Sequence, residues 1–331
     1  MPSLLEKLKE ELVKSEKKAN VVLPESSDER ILKAAALASK ENICKAILIG
    51  SSEDIEDKAK GLGINVRPLQ VIDPQTCGLL EKYVIKYCEA RRISERVAYR
   101  LLKKPINFAA AMVRFGDADA MVAGAIYDTQ EVIMSSELII GLKEGVSVPS
   151  TFFIMDIPTY EKRFLVFADC ALNPNPSPSE LADIAISTAD SIKTLLGWTP
   201  KVAMLSFSTK GSATHPLVEK VIKATEIAKR KRPDLLIDGE LQADAAIVPE
   251  VAKRKIKGES RVAGDANILI FPDLNAGNIS YKLVQWLTGG KAYGPILQGF
   301  ARPVSDLSRG ATIEDIIGTL IIISTMVVRG I

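Results

Sequence analysis

The sequence is short of histidine: His215 is the only one in 331 residues. A Ser/His/Asp triad would have no other base to draw on, and His215 precedes Pro216 at an expected helix start, an ordinary surface position. Cysteine is scarce as well. Cys44, Cys77, Cys88 and Cys170 lie far apart and form no CxxC, which points to reduced structural thiols in the cytoplasm. No His/Cys/Asp/Glu cluster has metal-ligand spacing, so no bound metal is expected. There is no Walker loop, and no GxGxxG follows an apolar strand. Excess charge of one sign is absent too: 43 basic and 41 acidic side chains leave a net +2, with no electrostatic case for nucleic acid or an anionic membrane. The densest basic run, Lys229–Arg232, stops before Pro233 and suits the carbonyl end of a helix. Long apolar runs are missing. Ile316–Val328, broken by Gly318, Thr319, Ser324 and Thr325, is too short to span a bilayer. It reads as a buried helix, against a second copy of the chain or inside its own domain. Residues 1–18 are charged and helical in period, unlike a secretory signal.

What is present is a rhythm of short aliphatic runs, turns and amphipathic helices. The expected strands are 20–23, 45–49, 120–123, 201–205, 235–238 and 268–271. Helical patterns cover 29–39, 79–89, 94–102, 179–195, 217–228 and 279–287. The alternation implies an α/β fold with largely parallel sheets and helices on both faces, ligands lying beyond the carboxyl ends of strands. Near residue 147 the rhythm changes: strands at 146–154 and 163–167 have no long helix between them, and the turn-rich Asn173–Pro178 follows. Two α/β domains are expected, 1–146 plus 297–331 and 147–296.

Three polar segments follow apolar runs. Ser206–Ser212, with Ser208, Thr209, Lys210 and Gly211, is either an anion cradle or a helix-capping loop. Pro272–Asn278, with Asn275 and Asn278, is either a ligand loop or an Asx-type turn. Asp306–Asp315 sets Ser308 and Arg309 just before a helix that Thr312 can cap, with Asp315 at its third position. That carboxylate either completes a capping box or takes a proton beside a guanidinium able to stabilise an oxyanion.

The segments Lys201–Ser212, Ile237–Gln242, Phe271–Asn275, Ala292–Pro295 and Asp306–Gly310 together resemble the phosphate acetyltransferase family, which the phosphate butyryltransferases join in fold and chemistry. Val22–Glu25 and Ile47–Gly50 are similar to its N-terminal region. The resemblance implies a two-domain architecture like that of isocitrate and isopropylmalate dehydrogenases, with the site in an interdomain cleft. It implies reversible exchange of acetyl-CoA and phosphate with acetyl phosphate and CoA, with CoA a substrate and no tightly bound cofactor. By position it makes Asp315 the base for the CoA thiol, Ser308 the group orienting that thiol, and Arg309 the arginine stabilising charge on the acyl oxygen. Arg91, or Arg92 in another register, matches a phosphate-binding arginine. The resemblance also marks Thr129, Ser208, Thr209, Lys210, Gly211, Asn275, Asn278, Tyr293 and Gln298 as substrate-binding positions, and a homodimer as the assembly.

One departure stands out. Where the family has a Ser-rich turn and then a phosphate-binding arginine, residues 125–136 place Met134 at the arginine position, with Asp128 and Glu131 nearby. A longer acyl group, or a non-catalytic acyl-CoA-binding homologue, are the alternatives this raises. A decarboxylating dehydrogenase would need a metal-binding carboxylate cluster and a nicotinamide loop, and the sequence has neither.

Overall fold

The computed structural model describes residues 4–330. Residues 1–3 and 331, which the expected first domain includes, lie outside them. In chain order the strands are β1 Asn20–Leu23, β2 Lys45–Ile49, β3 Gln70–Ile72, β4 Ala120–Ala123, β5 Ser150–Asp156 and β6 Phe164–Ala168. They continue with β7 Lys201–Leu205, β8 Leu236–Leu241, β9 Ile268–Ile270, β10 Lys291–Gln298 and β11 Val304–Asp306. The chain divides into two compact units, one running to Gly141 and resuming at Phe300, the other spanning Leu142–Gly299.

The first unit holds a sheet in the order β11-β4-β1-β2-β3. Every pairing is parallel; β4 is apolar throughout and β1 is apolar after Asn20, because neither face of these segments meets water. Val21, Leu23, Ala120 and Val122 join the core beneath helices Glu29–Lys40 and Ile313–Val328. The intervening Val22 and Met121 are buried as well, and the helix Pro105–Phe115 packs on β1 and β4. The apolar C-terminal helix therefore lies in its own unit, against helices Leu4–Lys14 and Glu29–Lys40 and strand β4. Ile316, Leu320, Ile321, Ile322, Ile323, Met326 and Val327 are all buried there. The expectation that this helix seeks a second copy of the chain loses its basis, since its apolar face is satisfied internally.

The second unit holds the order β10-β5-β6-β9-β7-β8. β6, β9, β7 and β8 run parallel, while β10–β5 and β5–β6 are antiparallel. Strand β10 was not foreseen, because Gly294-Pro295 interrupts it; it takes an edge, where a proline costs no ladder bond. Helices Pro178–Leu196 and Pro216–Lys231 pack on the sheet, and Tyr281 and Val284 of helix Leu274–Thr288 pack on the cluster formed by Phe153, Phe167 and Leu269. That last helix starts five residues before the expected 279, because the Asp273 side chain accepts from Ala276 N at 2.9 Å and caps it. Gly277 sits inside it without harm to the packing: a Cβ there would lie 2.4 Å from the Asp169 carbonyl oxygen.

Candidate active site

In the first unit two loops meet at the carboxyl ends of neighbouring parallel strands, β4 and β11. After β4 the chain passes through Gly124, at φ +114°, where a Cβ would stand 2.6 Å from Leu307 N. Asp128 then caps the helix Thr129–Ile139, accepting from Glu131 N at 2.8 Å. Thr129 Oγ1 donates to Asp306 Oδ2 at 2.6 Å, tying the helix start to the end of β11. Asp306 is 3% exposed, and burial pushes its carboxyl up to about 6, with the Glu25 and Asp128 charges adding to the rise and the Thr129 bond opposing it.

Beyond Asp306 the turn exposes Ser308 and Arg309. Ser308 Oγ accepts from Gly310 N at 3.2 Å. Thr312 and Asp315 form the capping box: Asp315 Oδ2 accepts from Thr312 N at 2.9 Å and from Thr312 Oγ1 at 2.8 Å, and Thr312 Oγ1 accepts from Asp315 N at 3.2 Å. Asp315 is exposed, and its box engages Oδ2, leaving Oδ1 outside it. Both readings of this carboxylate are thus sterically compatible.

Arg30 fastens the turn. Its Nη1 donates to the carbonyls of Arg309 at 2.8 Å and Ala311 at 2.9 Å, and its Nη2 to that of Ala125 at 3.1 Å. A paired Asp28 carboxylate holds the guanidinium and is itself kept below the usual carboxylate range: burial raises it, and the Arg30 bonds and charge outweigh that. Thr129, Ser308, Arg309 and Asp315 therefore share one corner. Arg91 does not join them. Its Nη2 donates to Leu138 O at 2.9 Å, at the other end of the helix Thr129–Ile139, about 15 Å along the axis for 11 residues. Arg114 donates to the carbonyls of Ile139 and Ile140 beside it, so both arginines meet the negative end of that helix. Arg92 closes its own helix in the left-handed region, at φ 54°. Met134 lies between these two ends and is 59% exposed, so it is not a core residue.

In the second unit, the segment Ser206–Ser212 leaves the end of β7. Ser208 Oγ donates to Glu240 Oε1 at 3.0 Å and accepts from Ala213 N at 3.1 Å. Thr209 Oγ1 donates to Gln242 Oε1 at 3.2 Å and accepts from Gln242 N at 3.0 Å. Both residues are buried, while Lys210 and Gly211 are exposed. Gly211 N donates to Glu240 Oε1 at 2.7 Å, and Lys210 Nζ to Asp238 Oδ1 at 2.6 Å. Burial raises the Asp238 carboxyl, but bonds from Lys210 and Ser260 and the Lys229 charge bring it below its ordinary value. Beyond the neighbouring β9, Asn275 is exposed, and Asn278 donates through Nδ2 to Cys170 O at 3.0 Å. They belong to the first turns of a helix, not to an Asx turn. Tyr293 lies half-buried on β10. Gln298 on the same strand is buried, with Nε2 donating to Ser150 Oγ at 3.0 Å and Thr188 Oγ1 at 2.7 Å. It joins β10 to β5 and to the helix Pro178–Leu196.

Glu25, Arg30 and Asp306 carry the loops of the first unit, and sequence reasoning gave none of them a role. Glu25 and Asp306 stood within the quoted Val22–Glu25 and Asp306–Gly310 segments, but their partners are far away in the chain. Among the described residues no helix is long and apolar enough to cross a membrane.

Loops with hydroxyl, guanidinium and carboxylate groups beyond parallel strands define an α/β protein with a polar ligand site at its strand ends. The profile of the phosphate acetyl/butaryl transferase family matches residues 3–324, and the chain belongs to that family. It is 48% identical over 316 residues to the phosphate acetyltransferase of Thermoanaerobacterium thermosaccharolyticum, covering 94% of this chain and 95% of that protein. The phosphotransacetylase structure from Streptococcus pyogenes is 41% identical with a TM-score of 0.91, covering 97% of each chain. The EutD phosphotransacetylase from Staphylococcus aureus is 40% identical with a TM-score of 0.90, covering 98% of each.

Proposed function

We propose that the chain moves an acetyl group reversibly between coenzyme A and inorganic phosphate. The observation that carries this reading is the exposed group of Ser308, Arg309 and Asp315 on one turn–helix junction, beside Thr129. Asp315 takes the proton of the CoA thiol, which is a poor nucleophile until deprotonated. Ser308 orients the sulfur. The thiolate attacks the carbonyl carbon of acetyl phosphate, and Arg309 balances the charge that grows on the carbonyl oxygen. The carbon–oxygen bond to phosphate then breaks and inorganic phosphate leaves. In reverse, a phosphate oxygen attacks the thioester carbonyl, the carbon–sulfur bond breaks, and Asp315 returns its proton to the departing sulfur. Thr129, Lys210, Gly211, Asn275, Asn278 and Tyr293 add substrate contacts in this reading, Arg91 stands apart at the far end of the helix Thr129–Ile139, and the buried Ser208, Thr209 and Gln298 shape the segments that carry these contacts. The names of the relatives support acetyl as the group transferred. CoA-dependent acyl phosphate formation, assayed with acetyl-, propionyl- and butyryl-CoA, tests it; preference for butyryl-CoA would replace acetyl by the longer group that Met134 raises.

The same reading includes a homodimer in a reducing, cytoplasmic setting, which the four free cysteines support. Its contact surface is the helix Leu274–Thr288, where Ile279, Leu283, Trp286 and Leu287 form an exposed apolar stripe, Trp286 at 82% exposure. Sedimentation of Trp286→Glu beside the parent chain tests this. A parent that is monomeric at micromolar concentration removes the dimer, and a dimeric Trp286→Glu moves the interface elsewhere.

A further inference from the structure

Glu25 lies two residues beyond β1 and is 2% exposed. Its Oε2 accepts from Gly124 N at 2.9 Å and Ala125 N at 3.0 Å. Its Oε1 accepts from Ile126 N at 2.7 Å and Tyr127 N at 2.8 Å. Successive backbone N–H groups converging on one point form a nest of the kind that binds anions. Here the chain's own carboxylate fills the nest, and charge-assisted bonds hold all four amides. Those four amides are spent on Glu25 and are not available to a substrate anion.

Two tethers run from the loop to the Ser308–Asp315 junction. Thr129 Oγ1 reaches Asp306 Oδ2 at 2.6 Å. Arg30 bridges Ala125 O, at 3.1 Å, to Arg309 O, at 2.8 Å, and Ala311 O, at 2.9 Å. The carboxylate thus stands at the head of a continuous bonded path that ends on the backbone of the reacting groups, three segments of chain away.

We infer that Glu25 is a positioning residue for acyl transfer: by binding the amides of residues 124–127 it fixes the loop against which the Ser308–Asp315 junction is aligned. This rests on the reading of Ser308, Arg309 and Asp315 as the reacting groups. Glu25→Gln keeps the size of the side chain but turns an NH₂ toward two of the four N–H groups. Misplacement of about 1 Å costs on the order of a hundredfold in rate, so kcat falls roughly tenfold to a hundredfold. KM for CoA and acetyl phosphate stays within about twofold, since the substrate contacts themselves remain. A lower melting temperature with unchanged kcat makes Glu25 structural only and overturns the inference. Hydrogen exchange on the parent protein gives an independent test if the variant does not fold. The amides of 124–127 should exchange far more slowly than those of the exposed turn 308–310, and equal rates overturn the clamp. Asp315→Asn belongs in the same series. If it keeps full turnover, the catalytic reading itself fails. If it loses turnover while Glu25→Gln keeps its kcat, only the positioning role of Glu25 is lost.

Discussion

The loop pair at 124–129 and 306–315 differs from the loop at 206–212 in what its side chains are free to do. In the first unit the backbone does most of the anchoring: amides go to Glu25 and carbonyls to Arg30, Thr129 and Asp306 add one side-chain tether, and the side chains of Ser308 and Arg309 remain exposed. In the second unit side chains join the backbone in the anchoring, where Ser206 N and Gly211 N are also tied. Ser208 and Thr209 spend their hydroxyls on Glu240 and Gln242 and are buried. Both regions lie at the carboxyl ends of parallel strands and both carry hydroxyls. Fixing a loop through its backbone leaves its side chains available for chemistry, and fixing it through its side chains does not.

The comparison breaks first at Asp315. Asp315→Asn should lower turnover by about a hundredfold or more, the usual cost of removing a general base. The amide still accepts the cap bonds through its carbonyl oxygen, so melting temperature should hardly change. Near-normal turnover with a lowered melting temperature would falsify the catalytic role and make the carboxylate a cap alone.

Asp306 comes next, and its effect depends on pH. Its folded value of about 6 lies above the ordinary 3.8, so the native state prefers the protonated carboxyl. The stability this contributes is complete below pH 4 and is lost as pH rises through 6. The rise from 3.8 to about 6 corresponds to about 3 kcal/mol. Asp306→Asn should therefore gain stability over the parent chain as pH rises from 4 to 8, reaching up to about 3 kcal/mol. Denaturant titrations at pH 4, 6 and 8 measure this; a constant difference between the two proteins would mean that Asp306 does not titrate across the window.

A matched pair of serines sharpens the contrast between the loops. Ser208→Ala removes a buried hydroxyl with three partners and should destabilise by about 1–3 kcal/mol. Ser308→Ala sits on an exposed turn and should change stability by only about 0.5 kcal/mol while slowing turnover. Thermal melts with kcat measured on both variants test the pair, and equal melting temperatures would erase the distinction between the loops. The smallest effect is expected at Met134. Its exposure leaves an introduced guanidinium partly solvated, so Met134→Arg should lower KM for phosphate by no more than about tenfold. Selective loss of butyryl-CoA use instead would place an acyl pocket there, and no change in either constant would detach Met134 from the site.

The alternation of aliphatic strands and amphipathic helices was enough to mark β1, β2, β4 and β7 at the residues where they occur, because strands covered on both faces are apolar along the run, here everywhere but at the first residues Asn20, Lys45 and Lys201. Three short or interrupted strands escaped, the three-residue β3 among them. β11 has three residues, one of them the buried aspartate of the site, and β10 carries a proline that only its edge position permits. The C-terminal helix was visible as apolar, but whether its face met its own unit or another chain could not be read from its composition. The same limit governs the site. Local order of residues determined the turn, the capping box and the exposed Ser308–Arg309 pair, since capping geometry depends on neighbours three residues apart. Tertiary structure alone decided that Glu25 would meet residues 124–127, that Arg30 would bridge Ala125 to Arg309, and that Asp306 would be buried beside Thr129. Those partners lie about a hundred residues or more apart in the chain, except where Arg30 meets Ala125 at a separation of 95, and hydrogen bonds act only at contact distance. Until the strands were paired side by side, nothing in the order of the residues could bring them together.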